Sequence, residues 1–132
     1  MKAVGSKVVK ALHIGSRLVC DDNTGAKELE IVGVVGFKGK RRTLPRAGVG
    51  DVVICSVKKG KPDIRKKVVK AVIIRQKKEW RRPDGTRIKF SDNAAVIIDD
   101  KGQPKGTEVK GIVAKEVAER YAKVATLAKN VL

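Results

Sequence analysis

The 132-residue sequence predicts a mainly β fold: a small five-stranded β-barrel with a C-terminal part of one or two short α-helices. Three observations carry this expectation. Val and Ile dominate the apolar residues while aromatics make up only 3%, and β-branched side chains suit a pleated, half-buried surface. Five short apolar runs alternate with turn signals. The last stretch lacks Gly and Pro and shifts to a helical spacing.

The five runs are Leu18–Cys20, Leu29–Val35, Val52–Val57, Val68–Ile74 and Ala94–Ile98. Most are bounded by turn residues such as Asp22-Asn23-Thr24-Gly25, Gly48–Gly50 and Asp99–Gly102. They are nearly all apolar rather than alternating, as expected where both faces are covered. Closing five strands into a barrel removes their exposed edges. From Ala114 to Lys129, the residues Val117, Tyr121, Val124 and Ala128 form one apolar stripe at 3–4 spacing. Glu116 and Glu119 lie early and Lys123 and Lys129 late, which suits a helix dipole. The stripe packs on the barrel or docks another protein, so Val117, Tyr121 and Val124 are the protein-contact candidates.

The length fits a single domain over 1–132. Its parts are an N-terminal arm (1–15), a β-barrel with basic loops (16–110) and a helical C-terminal part (111–132). A chain this long buries roughly two thirds of its unfolded surface and folds without disulfide or metal staples.

The net charge is +17, which repels itself in the free protein and implies a polyanionic partner. The charge is not spread evenly. Residues 1–37 hold 5 Lys/Arg and 4 Asp/Glu, residues 38–89 hold 19 and 4, and residues 90–132 hold 7 and 6. A solubility device spreads its charge, whereas a binding face concentrates it. Three clusters make up the excess. The first is Lys38, Lys40, Arg41, Arg42 and Arg46. The second is Lys58, Lys59, Lys61, Arg65, Lys66 and Lys67. The third is Arg75, Lys77, Lys78, Arg81, Arg82, Arg87 and Lys89. Nearby Gly and Pro mark them as loops, and long basic side chains on loops reach phosphates. Trp80, between Lys77-Lys78 and Arg81-Arg82, is the best candidate for stacking on a base. With so few aromatics, recognition through backbone and shape is favoured over base reading.

Chemistry beyond binding finds little support. No Gly-rich phosphate loop is present, and Gly33-Val34-Val35-Gly36 lacks the third glycine and a following helix. The single histidine, His13, is expected at the surface or on RNA. Cys20 and Cys55 sit in apolar runs and read as buried thiols, and with one histidine they cannot assemble a zinc site. Asp21-Asp22 and Asp99-Asp100 adjoin turn residues and read as turn chemistry. The expectation is therefore no enzyme, no metal, no cofactor and no small-molecule substrate. No run approaches the ~20 apolar residues of a membrane span, and the N-terminus lacks a signal-peptide core, so a cytoplasmic protein without a membrane partner is expected.

One pattern is more specific. Ala71-Val72-Ile73-Ile74, nine residues, Asp84-Gly85, four residues, Phe90, two residues, Asn93, two residues, Val96-Ile97 resembles the signature of the large-subunit ribosomal protein fourteen family. Asp21–Ala26, Gly50–Val53, Ser56–Lys58 and Val113–Glu116 resemble other parts of that family. The loop Gly39–Gly48, the stretch Lys59–Pro62 and the N-terminal arm resemble its archaeal and eukaryotic branch. The family often carries Pro before the Val-Ala of the helix entry, where this chain has Ile112.

The resemblance implies a five-stranded barrel with a small helical part. It also implies contact with large-subunit rRNA and a place at the subunit interface, bridging to small-subunit rRNA. The implied protein neighbours are ribosomal proteins three and twenty-four-e and the anti-association initiation factor six. Two other readings share the charge but not the signature: a free nucleic-acid-binding module and an enzyme acting on RNA.

Overall fold

The computed structural model describes residues 5–39 and 41–132. Its strands are β1 (Leu12–His13), β2 (Arg17–Cys20), β3 (Ala26–Val34), β4 (Arg46–Ala47), β5 (Val52–Gly60), β6 (Val68–Arg75), β7 (Trp80–Arg81), β8 (Arg87–Ile88), β9 (Ala94–Ile98) and β10 (Val109–Val113). Helices α1 (Lys115–Arg120) and α2 (Ala122–Leu127) follow, and β11 (Ala128–Val131) ends the chain.

The five apolar runs of the sequence are the five barrel strands, in the order β2-β3-β5-β6-β9. Neighbours pair antiparallel except at the seam, where β2 and β9 run parallel with Val19 opposite Ala94 and Cys20 opposite Ala95. Closure leaves no free edge in the barrel. Leu18, Leu29, Ile31, Val53, Cys55, Val57, Ile73 and Ile97 fill its interior, each at most 1% exposed.

The expectation of two covered faces holds only on one side. All five residues of β9 and the last five of β6 are buried, and β10 and α1 pack against β6. β2 instead alternates, burying Leu18 and Cys20 while Arg17 and Val19 face out. The middle of β3 alternates too, with Glu28 and Glu30 on the outside. A strand with one solvated face follows the period of two that the pleat imposes.

Three small pairs extend the barrel: β1–β4 and β7–β8 antiparallel, and β10–β11 parallel. The C-terminal stripe is two six-residue helices rather than one, broken where Tyr121 takes φ −130° and ψ 79°. Ala128 and Lys129 leave the helix and enter β11. Val117 and Val124 are fully buried in the hydrophobic core, which leaves those two candidates no surface for docking. Tyr121 is half-buried. Ile112, at the position where the family often has Pro, continues β10 opposite Asn130.

Candidate nucleic-acid interface

The carboxylates decide which cations are available, and most of them are tied to the protein itself. Glu116 is 1% exposed and is the acceptor of a buried hub. Its Oε1 accepts from Ser6 Oγ at 2.9 Å, Trp80 Nε1 at 3.2 Å and Arg82 Nε at 2.9 Å, and its Oε2 from Arg82 Nη2 at 3.3 Å. A carboxylate at a helix start faces the dipole favourably, but here the chief partners are Arg82 and Trp80. Burial raises its pKa; the bonds to Arg82, to its own backbone N–H, to Trp80 and to Ser6 outweigh that and hold it below its ordinary 4.5.

Asp22 is likewise internal. Its Oδ1 accepts from Cys20 Sγ, Thr24 N and Thr24 Oγ1, and its Oδ2 from Ile97 N, which fixes the turn after β2 against β9. Asp51 accepts from Gly48 N at 2.9 Å and pairs with Lys10 and Arg120. Asp84 accepts the Thr86 N–H at 2.9 Å, which holds its carboxyl below the usual range and closes the hairpin turn between β7 and β8. Asp99 accepts from the N–H groups of Lys101 and Gln103 in the turn after β9. These are the Asx-type turns expected beside Gly and Pro.

The cations divide into two sets. Fifteen residues of the three sequence clusters are exposed: Lys38, Arg41, Arg42, Arg46, Lys58, Lys59, Lys61, Arg65, Lys66, Lys67, Lys77, Lys78, Arg81, Arg87 and Lys89. Lys40 lies outside the described residues. Not all sit on loops: Arg46, Lys58, Lys59, Arg81 and Arg87 are on strands. Lys58 and Lys59 lean on Glu30 and Glu28 at 3.4 and 3.6 Å, and Arg87 on Glu79 at 3.7 Å. Exposed pairs of this kind are worth at most about 1 kcal/mol, so a phosphate competes with them readily.

Three sequence candidates are held by the protein itself, two of them buried and one half-buried. Trp80 is 0% exposed, with its ring 5.9 Å from that of Phe90 and its N–H on Glu116, so no face remains for a base. Arg75 is 7% exposed and bonds Asp92 and the Ile112 carbonyl. Arg82 is half-buried on Glu116 and also donates to the Leu132 carbonyl. All three pin the C-terminal part and its neighbours together.

The surface also holds a groove of about 690 Å³ that the charge count did not reveal. Its cations are Lys58, Lys59, Lys61 and Arg65 from the second cluster, joined by Lys27 and Lys110. Those two come from the nearly neutral ends of the sequence, and the pairing of β3 with β5 and of β10 with the turn after β2 brings them there. Among the described residues, no three His, Cys, Asp or Glu side chains gather as a metal site would require. Among the described residues, no helix is long and apolar enough to cross a membrane.

A closed barrel that buries Asp22 and Glu116 as internal acceptors and carries most of its lysines and arginines on its surface defines a structural protein of the small basic-barrel class. The family described as ribosomal protein L14p/L23e matches residues 11–132. Among similar proteins is the large ribosomal subunit protein uL14 of Methanococcus vannielii, 59% identical over 129 residues and 98% of each chain. The protein of that name from Methanoregula boonei is 57% identical over 128 residues, 97% of each chain. That from Halobacterium salinarum is 51% identical over 132 residues, the whole of both. The chain therefore belongs to the ribosomal protein L14p/L23e family, a family of structural, non-enzymatic constituents of the large ribosomal subunit.

Proposed function

We propose that the protein binds large-subunit rRNA through backbone phosphates and contributes to the subunit interface, bridging to small-subunit rRNA during translation. The observation that carries this is the separation of charge. The fifteen exposed cluster cations surround a fold whose principal carboxylates are bonded inside it or in its turns. A surface of that kind attracts a polyanion without reading its sequence. The burial of Trp80 removes the best stacking residue, which favours phosphate contacts further.

The nearly neutral ends suit protein neighbours, for which the family resemblance suggests ribosomal proteins three and twenty-four-e and the anti-association initiation factor six. Of the three C-terminal contact candidates, only Tyr121 keeps accessible surface. The reading requires the protein to sediment with large subunits at moderate salt. Crosslinking in intact ribosomes should join the exposed cluster residues to rRNA. Sedimentation only as free protein, or crosslinks confined to protein, would refute it.

A further inference from the structure

The groove beside the Gly25 turn gathers cations from three separate parts of the chain. Lys27 comes from β3, Lys58 and Lys59 from the end of β5, Lys61 and Arg65 from the turn after it, and Lys110 from β10. Among the described residues, Lys27, Lys61, Arg65 and Lys110 have no carboxylate within ion-pair distance. The one carboxylate in the lining, Asp22, has both oxygens engaged by Cys20, Thr24 and Ile97. Lys58 and Lys59 lean on Glu30 and Glu28 outside the lining, and the other four cations repel one another until an anion sits among them.

The walls are built rather than incidental. Lys61 N donates to Gly25 O at 3.1 Å, which holds the β5 end against the Gly25 turn. A Cβ on Gly60 would lie 2.7 Å from Gly25 O and 2.9 Å from Ala26 Cα, so the two segments approach as closely as a glycine permits. At about 690 Å³ the groove has the size of a small-ligand site, which spans about 300–1,000 Å³. Such sites are mostly apolar and aromatic, whereas this lining has no aromatic ring on which a base could stack. Phosphate is the chemistry it matches.

We infer that this groove seats the phosphodiester backbone of large-subunit rRNA, with Lys27 and Lys110 as contacts outside the basic clusters. The inference rests on the rRNA-binding reading and gives it a place. Because Lys27 belongs to the barrel and Lys110 to β10, an RNA strand in the groove ties the barrel to its C-terminal part.

The test is filter binding of full-length protein to purified large-subunit rRNA over a salt series. It compares the wild type, Lys27→Gln/Lys110→Gln and Arg41→Gln/Arg42→Gln. The groove variant should lose about tenfold in affinity at moderate salt and roughly one to two units of salt slope. Its thermal melt should match the wild type, because both side chains are exposed. If it keeps wild-type affinity and slope while the Arg41/Arg42 variant loses slope, the groove assignment is wrong and the rRNA reading stands. If the wild type shows no salt-dependent binding, both fall. A competition arm with inorganic pyrophosphate separates the possible phosphate sources. Displacement of the RNA no greater than with chloride of equal ionic strength supports the RNA backbone. Specific displacement that Lys27→Gln/Lys110→Gln abolishes would assign the groove to a small phosphate ligand and overturn the inference.

Discussion

Arg75 and Asp92 meet in a two-pronged ion pair, Nε to Oδ1 at 2.9 Å and Nη2 to Oδ2 at 3.1 Å. The third nitrogen, Nη1, donates to Ile112 O at 3.0 Å and lies 2.7 Å from Asp21 Oδ2. One guanidinium thereby joins the end of β6 to the segment after β2, the approach to β9 and β10. The planar fork is what makes this possible, and a lysine ammonium cannot reproduce it. Arg75→Lys should therefore destabilise the fold by about 2–4 kcal/mol in urea unfolding. The salt slope of rRNA binding should stay unchanged. A lowered slope without lost stability would return Arg75 to the RNA-facing set.

The Glu116 hub makes stability depend on acid in a defined direction. Its folded pKa lies below the ordinary 4.5. Its contribution is then fully present above about pH 4.5 and fades as pH falls through the folded value. Glu116→Gln keeps the shape but leaves the half-buried Arg82 without its counter-charge. The expected cost is about 2–4 kcal/mol at pH 7. Urea unfolding at pH 7 and pH 3.5 checks both statements: the gap between wild type and variant should narrow at the lower pH. A gap independent of pH would mean the carboxylate charge contributes nothing.

The barrel was legible in the sequence because each of its strands is an apolar run between turn residues, and local pattern suffices to see such a run. The two-residue strands β1, β4, β7 and β8, and the parallel pair of β10 with β11, were not. β1 finds its partner β4 far along the chain, and even in the local β7–β8 hairpin two-residue segments carry no period. Trp80 shows the cost. Four basic neighbours suggested an exposed ring, but alternation within β7 turns Trp80 inward and Arg81 outward. Val117 and Val124 were recognised as an apolar stripe, yet spacing alone could not choose between core and partner. Lys27 and Lys110 had no local signal, since each sits among acids or apolar residues and becomes part of a cationic groove only in the fold.

The two thiols offer a chemical probe of the core. Burial pushes Cys55 up to about 12, and burial together with the nearby Asp22 carboxylate pushes Cys20 up to about 12. The reactive form is the thiolate, so neither should react with iodoacetamide at pH 8 in the native protein. Both should react in denaturant. Mass spectrometry of the alkylated protein reads this directly. Rapid native labelling of Cys20 alone would show that the β2–β9 seam opens on its own.

Gly60 connects the fold to the groove. It terminates β5 opposite Ala26, and the Lys61 N–H bonded to Gly25 O follows immediately. A methyl group there would meet Gly25 O and Ala26 Cα, both backbone atoms that no side-chain rotation can move aside. Gly60→Ala should therefore push the β5 end away from the Gly25 turn, at a cost of about 1–3 kcal/mol. The separation should also spread Lys61 and Arg65 away from Lys27. Affinity for rRNA should then fall although every cation remains. Gly85→Ala is the informative comparison. Gly60 has φ +155° and Gly85 +88°, but the Cβ of Gly85 would meet nothing within 4 Å. That variant should carry backbone strain of about 1 kcal/mol and bind rRNA as the wild type does. Equal losses of binding in the two variants would mean that closeness at Gly60 has no role in shaping the groove.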